Sequence, residues 1–187
     1  MKKKIHIIGG GLAGCELAYQ LSLNKIFTHL YEMRPKVKTD AHQTGYLSEL
    51  VCSNSFRSDD SVYNAVGLLH KELRLSNSLI MEAADKNKVP AGSALAVDRD
   101  MFSKYIDTKI KSNKYIKVIN KEITSLKIFK DDIVVVATGP LTSKKLSEEI
   151  EKLTTKKSLD FFDAIAPIVY YESIDMNIAW KQSRYDK

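Results

Sequence analysis

The chain has 187 residues, of which 44% are hydrophobic and 28% are charged, a balance typical of a globular protein with one domain or one domain plus a small insertion. No apolar run approaches the roughly 18 residues that cross a bilayer, and residues 1–4 lead directly into a strand pattern, so we expect a cytoplasmic protein that does not bind a membrane. The net charge of +6 suits an acidic partner such as RNA, although a general lysine bias gives the same value.

The first thirty residues show the pattern of one strand, one helix and a second strand. Residues 4–8 form an apolar run that ends in three glycines, as expected for a buried parallel strand before a phosphate-binding turn. Residues 12–24 have a helical pattern, and residues 27–31 form a strand that ends at Glu32. This length fits one right-handed parallel crossover, so the pattern predicts an α/β fold.

The rest of the chain continues as alternating helices and strands. Residues 33–47 have no clear period and are predicted to form a long functional loop. A single helix is predicted over residues 64–85, and Asp98 is predicted to cap the next helix, in which apolar residues recur every four positions. Further predicted elements are strands over residues 115–119 and 122–128, a buried strand over 132–136, a helix from Ser143 and strands within 161–180.

The glycine turn after the first strand has the spacing of a dinucleotide-binding loop. Gly9 permits the tight turn, Gly11 leaves room for a pyrophosphate, and Gly14 allows close packing of the helix. The pyrophosphate is expected at the start of the helix, where unpaired amide donors and the helix dipole favour negative charge. The cofactor-binding candidates in this turn are Gly9, Gly10, Gly11, Leu12, Ala13 and Gly14.

A carboxylate at the end of the second strand completes the nucleotide-binding pattern. Glu32 lies eighteen residues after Gly14 and is placed to accept hydrogen bonds from an adenosine ribose. Arg34 and Lys36 follow directly, so a nicotinamide cofactor with a 2′-phosphate stays an alternative. The later strand that runs into Thr138 and Gly139 favours FAD, because many flavoproteins place such a strand and turn beside their nucleotide. Glu32, Arg34, Thr138 and Gly139 therefore join the cofactor-binding candidates.

The segment around Cys52 is crowded with hydrogen-bonding groups and invites an active-site interpretation. A cysteine thiolate can add to an electron-poor carbon such as uracil C6, and a cation such as Arg57 would lower its pKa. The alternative is an inert cysteine buried behind its apolar neighbours. Cys15, at the start of the first helix, is expected to have only a packing role. Neither cysteine has the sequence spacing of a metal-binding motif, so no metal site is predicted.

Taken together, these motifs resemble the TrmFO family, FAD- and methylenetetrahydrofolate-dependent methyltransferases that form 5-methyluridine in the T loop of tRNA. The glycine turn is shared with many flavoproteins, but Glu32-Met33-Arg34-Pro35 together with Leu50-Val51-Cys52-Ser53-Asn54-Ser55 is specific to this family. The stretches that carry the resemblance are residues 7–16, 31–35, 48–57, 64–69, 90–99 and 137–140.

The resemblance implies a Rossmann-like FAD-binding domain of the glutathione-reductase type. It also implies a reduced flavin that accepts the folate methylene and passes it to uracil C5, with electrons from NADH or NADPH and with tRNA as the partner. Cys52 then becomes the catalytic candidate, as a nucleophile or as a residue that contacts the flavin. We expect residues 1–158 to form an interrupted FAD-binding domain that lacks its C-terminal return segment, and residues 159–187 to begin an insertion or substrate domain.

The sequence departs from the family pattern in one respect. Family members are longer, with a second active-site cysteine in a Cys-Pro context and a late glycine-rich segment that completes the flavin site, and neither occurs here. We therefore expect an incomplete flavin site, and a non-catalytic FAD-binding remnant or a subunit that needs a second chain stays an alternative. A further alternative is a tRNA-modifying flavoprotein of the glucose-inhibited division type, which shares the glycine turn but ordinarily lacks Glu-Met-Arg-Pro.

Overall fold

The computed structural model describes residues 3–154 and 170–180. The described strands are β1 (Ile5–Ile8), β2 (Thr28–Glu32), β3 (Ser55–Ser58), β4 (Lys88–Val89), β5 (Ala94–Val97), β6 (Ile116–Asn120) and β7 (Ile133–Val136). The described α-helices are α1 (Leu12–Leu23), α2 (Ala65–Leu75), α3 (Leu79–Lys86), α4 (Arg99–Lys111) and α5 (Lys144–Thr154). Within this part of the chain, no helix is long and apolar enough to cross a membrane.

The strands form two sheets of different kinds. Strands β6, β2, β1 and β7 make a parallel sheet in that order, and β3, β5 and β4 make a small antiparallel sheet. In the parallel sheet, Ile8 at the end of β1 is in register with Tyr31 of β2 and Val136 of β7. The carboxyl ends of these strands therefore meet at one edge, and the chain order reverses at β1. The predicted α/β fold with a parallel sheet is confirmed.

Helices α1, α3 and α4 bury the larger core with one face of the parallel sheet. The predicted four-residue spacing in α4 is confirmed, because Phe102, Ile106 and Ile110 are all fully buried. Burial of each such side chain contributes roughly 1.5–3 kcal/mol. The predicted cap is also confirmed, since the Asp98 side chain accepts a hydrogen bond from the Met101 amide at 2.9 Å.

The prediction of one helix over residues 64–85 is wrong, because the chain breaks between α2 and α3. Asn77 has a φ of 56°, a left-handed conformation that ends helices and that asparagine tolerates. Ser78 then caps α3, and its hydroxyl accepts a hydrogen bond from the Met81 amide at 3.2 Å. Two short polar residues thus stop one helix and start the next, and they outweigh the apolar periodicity that runs across the break.

Two further strand predictions are wrong for the residues that the structure describes. Residues 122–128 contain no strand, and Leu126–Phe129 form a short 3-10 helix instead. Ile123 and Phe129 are buried in a small cluster with Ile8 of β1. Residues 170–180 contain a 3-10 turn, Tyr171–Ser173, and no strand. The rest of the strand prediction over 161–180 lies outside the described residues, and so does the predicted domain boundary after residue 158.

Strand β7 has the predicted position but not the predicted burial. Ile133 and Val136 are 47% and 38% exposed, although the apolar run predicted a buried strand. Among the described residues β7 pairs only with β1 and therefore forms one edge of the parallel sheet. A run of apolar residues indicates a strand but does not say how many neighbours cover it. The predicted helix after Ser143 is confirmed as α5.

Candidate functional site

A cleft of about 510 Å³ opens at the edge where the parallel strands end. Its size lies within the usual range of ligand pockets, roughly 300–1,000 Å³. The cleft also lies where the chain order reverses at β1, which is where open α/β sheets bind their ligands. Its walls come from the glycine turn, from the end of β2 and from the segments after β6 and β7, with lining residues that include Gly9 to Ala13, Glu32, Arg34, Glu49, Lys121 to Ile123, and Ala137 to Leu141.

The glycine turn has the backbone geometry that its glycine spacing predicts for a dinucleotide-binding loop. Gly9 has a φ of 106°, and a Cβ at Gly14 would lie only 1.9 Å from the carbonyl oxygen of Gly9. Both positions therefore need glycine, the first for its backbone conformation and the second for the close approach of α1 to the turn. At Gly11, no described atom lies within 4 Å of the site that a Cβ would take, which leaves open space where a pyrophosphate is expected.

The start of α1 presents backbone amides to the same cleft. Gly11 is the N-cap residue, and among the described residues no side chain caps this helix. Leu12 and Ala13, the first two residues of α1, line the cleft. The amide groups of an uncapped first turn carry partial positive charge and favour an anionic ligand. The arrangement fits a pyrophosphate.

Glu32 is a buried carboxylate at the end of β2, and both of its oxygens accept hydrogen bonds. The Gly10 amide donates to Oε2 at 2.9 Å, and the backbone amide and Nε of Arg34 both donate to Oε1 at 3.0 Å. Burial raises the pKa of Glu32, but the hydrogen bonds and charge of Arg34 and the Gly10 amide outweigh burial, and the net shift is downward. Glu32 is therefore an ionised acceptor beside the glycine turn.

Arg34 lies between two carboxylates and is only 2% exposed. Besides its contacts with Glu32, its Nη1 donates to Oε2 of Glu49 at 2.8 Å. A guanidinium engaged on both sides holds the two acids in place and has little capacity left for a ligand phosphate. An anionic 2′-phosphate would also lie against the Glu32 carboxylate, so this arrangement disfavours the NADP alternative.

Glu49 is a charged residue of the cleft wall that the sequence did not single out. Its Oε1 accepts hydrogen bonds from the amides of Gln43 and Thr44 at 2.8 and 3.1 Å, while its Oε2 binds Arg34. Burial raises the pKa of Glu49, but these backbone hydrogen bonds and Arg34 lower it overall. One carboxylate thus fastens the long loop after β2 to the wall of the cleft.

Acid should destabilise the protein through these two carboxylates. Both folded-state pKa values lie below the ordinary value of 4.5, so the stability that they contribute is complete above pH 4.5 and is lost as the pH falls through the folded values. We expect the urea-measured free energy of unfolding to decline below that pH, and to decline less steeply in Glu49→Gln. Identical pH profiles for the two proteins would contradict this role of Glu49.

The end of β7 forms the wall of the cleft opposite Glu32. Its register is fixed by the Ala137 amide, which donates to the Ile8 carbonyl at 2.7 Å. Thr138 and Gly139 both line the cleft, and Gly139 has a φ of 60° with no described atom within 4 Å of a Cβ position. All the cofactor-binding candidates except Gly14, which is buried behind the turn, therefore border one cavity, although ligand contacts at each residue remain a prediction.

Cys52 is exposed and does not itself line the cleft, so the alternative of a buried cysteine is wrong. The residue before it, Val51, lines the cleft. The Arg99 guanidinium donates through Nη2 to the Cys52 carbonyl oxygen at 2.9 Å. Arg57, the cation expected from the sequence, is an exposed residue of β3, and its effect on the Cys52 thiol stays a prediction. The catalytic role of Cys52 remains a prediction.

The two cysteines should differ sharply in reactivity. Cys15 is fully buried, its thiol donates to the Gly10 carbonyl at 3.3 Å, and burial raises its pKa to about 12. We expect iodoacetamide to alkylate Cys52 in the folded protein and to reach Cys15 only after unfolding, because the thiolate is the reactive form. Peptide mass spectrometry gives both rates, and equal labelling of the two thiols would contradict the packing of Cys15.

A model of the family described as glucose-inhibited division protein A matches residues 4–187, nearly the whole chain. The chain belongs to this family. It is also similar to curated relatives named methylenetetrahydrofolate–tRNA-(uracil-5-)-methyltransferase TrmFO. Identity is 59% over 183 residues with the protein of Bartonella henselae, 60% over 184 residues with that of Bartonella tribocorum, and 54% over 187 residues with that of a Ruegeria species.

Membership of the glucose-inhibited division protein A family agrees with the fold. The structure of Aquifex aeolicus GidA superposes with a TM-score of 0.57 at 14% sequence identity, covering 74% of this chain and 25% of that one. The resemblance to TrmFO proteins stated from the motifs is confirmed. These alignments cover 98–100% of this chain but only 38–42% of each TrmFO relative, so the chain spans about two fifths of their length.

Proposed function

We propose that the chain is the FAD-binding portion of a flavoenzyme that transfers a methylene group from methylenetetrahydrofolate to uracil C5 in the T loop of tRNA and reduces it to 5-methyluridine. The observation that carries this proposal is the cleft between the glycine turn and Glu32, with Cys52 following a residue of its wall. Its support is the 59% and 60% identity to relatives whose names state this methyl transfer.

The residues of the cleft fit FAD. The amides at the start of α1 and the open space at Gly11 suit the pyrophosphate, and the ionised Glu32 suits the hydroxyls of the adenosine ribose. Thr138 and Gly139 border the same cavity from β7. When bound, FAD would supply both the acceptor for the one-carbon unit and the redox chemistry that reduces it. Arg34 holds Glu32 in its ionised form, and the loop fastened by Glu49 closes one side of the site.

Cys52 is the proposed catalytic residue. It is exposed, so that a macromolecular substrate can reach it, and it directly follows Val51 of the cleft wall. Addition of its thiolate to uracil C6 breaks the C5–C6 double bond and makes C5 the nucleophile for the methylene carbon. C5 then loses its proton, and a hydride derived from NADH or NADPH reduces the methylene to methyl as the thiolate leaves C6 and the double bond re-forms. A contact with the flavin is the second role that this position permits. The tRNA substrate, the folate and NADH or NADPH are co-substrates in the proposal, and the site of action is the cytoplasm.

Two other functions stay open as proposals. The first is a non-catalytic FAD-binding remnant, or a subunit that works beside a second chain. The second is a division-protein-type tRNA-modifying flavoprotein, which is less favoured because the relatives at 59% and 60% identity are named TrmFO. In either case we propose residues 1–158 as the FAD-binding domain and residues 159–187 as the start of a second unit.

The activity is tested by an assay for 5-methyluridine in unmodified tRNA with FAD, NAD(P)H and methylenetetrahydrofolate. We compare the chain alone with the chain joined to the part of the Bartonella henselae relative that the alignment does not cover. The joined protein should methylate tRNA, and Cys52→Ala should abolish activity while Ser53→Ala, an exposed neighbour, retains it. A folded, flavin-loaded joined protein that forms no 5-methyluridine would overturn the assignment.

A further inference from the structure

We propose that three polar residues on one face of α4, Arg99, Ser103 and Asp107, position the segment that carries Cys52 beside the cleft. We call these three residues the polar stripe of α4, and residues 47–52 the Cys52 segment. The inference rests on the proposed function, because it assigns positioning residues to the active-site candidate. None of the three lines the nucleotide cleft, so they act through the segment that they hold.

The stripe contacts the Cys52 segment at three successive points. Its residues are spaced four apart, which places them one above another on one side of a helix. Asp107 Oδ1 accepts a hydrogen bond from the Leu47 amide at 3.2 Å, and the Ser103 hydroxyl donates to the Ser48 carbonyl at 3.2 Å. The Arg99 guanidinium donates to the carbonyl oxygen of Cys52 itself at 2.9 Å. The side chains thus bind the backbone at both ends of the segment.

Burial explains why two of the three polar positions matter, whereas Arg99 is exposed. Ser103 and Asp107 are buried beside Phe102 and Ile106, on the face of α4 that meets the core. A buried hydroxyl or carboxylate destabilises a core unless its hydrogen bonds are made, and an apolar side chain would fill the same space without that requirement. The partners that meet the requirement are backbone groups of the Cys52 segment, with Lys111 as a second partner of Asp107 at 2.8 Å.

The opposite side of the segment is held by the glycine turn. The Ser48 amide donates to the Gly10 carbonyl at 2.8 Å, and the buried side chain of Leu47 lies so close that a Cβ at Gly10 would be 2.5 Å from it. Val51, near the end of the segment, lines the cleft. The segment is therefore fixed between α4 and the nucleotide loop. Such fixing places the thiol before substrate binds and reduces the entropy lost in the reaction.

Amide hydrogen exchange tests the positioning without any cofactor. The variants are Arg99→Ala, Ser103→Ala and Asp107→Ala, with Asp107→Asn as the conservative variant that keeps an acceptor oxygen. Lys104→Ala, on the exposed side of α4, is the matched control. Loss of a hydrogen bond to the segment should speed exchange over residues 47–52 by roughly tenfold while β1 and β2 exchange as before. No change in the segment, or an equal rise in the sheet, would overturn the proposal.

Protection of Cys52 by FAD separates positioning from a general role in stability. In the joined protein used for the activity assay, FAD should slow the alkylation of Cys52 by iodoacetamide several-fold, and it should do the same in the Lys104→Ala variant of that protein. In Ser103→Ala and Asp107→Ala this protection should vanish although FAD still binds, and Asp107→Asn should restore it. Protection that persists in the alanine variants would overturn the proposal. Failure of the joined protein to bind FAD would overturn the proposed function, while hydrogen exchange in the chain alone would still decide the positioning.

Discussion

Gly14→Ala is expected to lower the free energy of unfolding by more than about 3 kcal/mol, a large part of the ~5–15 kcal/mol that stabilises a typical domain. The added Cβ would lie 1.9 Å from the carbonyl oxygen of Gly9, and that oxygen belongs to the backbone of the turn. Neither α1 nor β1 can move away without breaking the contact between them. Urea unfolding followed by circular dichroism measures the loss.

Gly11→Ala is the matched control for this effect. A Cβ at Gly11 meets no described atom within 4 Å, and its φ of −77° suits alanine, so the cost in stability should not exceed about 1 kcal/mol. The new methyl group would occupy the space proposed for the pyrophosphate, and FAD affinity should fall by roughly tenfold or more. Equal stability losses in the two variants would contradict the distinct roles of these glycines.

Glu32→Ala is expected to cost about 3–5 kcal/mol of unfolding free energy, because it leaves a buried guanidinium without its main partner. Arg34 makes three of its hydrogen bonds to Glu32, two from the side chain and one from the backbone amide. The variant should also lose the acceptor for the adenosine ribose. Lys36→Ala, an exposed change nearby, should stay within about 0.5 kcal/mol of the unaltered protein.

A second variant separates the two consequences of removing Glu32. Glu32→Ala combined with Arg34→Met takes away the unpaired charge and should recover much of the stability. FAD affinity should stay low, since the ribose acceptor is still missing. If the double variant unfolds as easily as Glu32→Ala alone, the buried charge is not the cause of the instability.

The nucleotide half of the site could be predicted because its signals are local. The strand, the glycine turn, α1 and Glu32 fall within thirty residues, and each has a pattern that depends on its near neighbours. The cap at Asp98 is equally local, since its partner amide lies three residues away. Where local signals competed, as at Asn77 and Ser78, the helix break was missed because apolar periodicity continued across it.

The contacts that organise the site join residues far apart in sequence, and periodicity carries no information about them. Arg34 meets Glu49 fifteen residues away, and Asp107 meets the Leu47 amide sixty residues away. The antiparallel sheet was missed for the same reason, since β3 and β5 pair across a long intervening stretch that contains α2 and α3. The exposure of β7 depends on how many strands pair with it, and the residues of β7 do not encode the number of neighbouring strands.

A competition experiment tests most directly whether the cleft is a dinucleotide site. FAD is titrated into the chain joined to the uncovered part of the Bartonella henselae relative and followed by flavin fluorescence, with ADP or FMN added as the competitor. Glu32 and the amides of α1 are placed for the ribose and pyrophosphate, so ADP should displace FAD and FMN should not. Absence of FAD binding, or displacement by FMN but not by ADP, would contradict the assignment of the cleft.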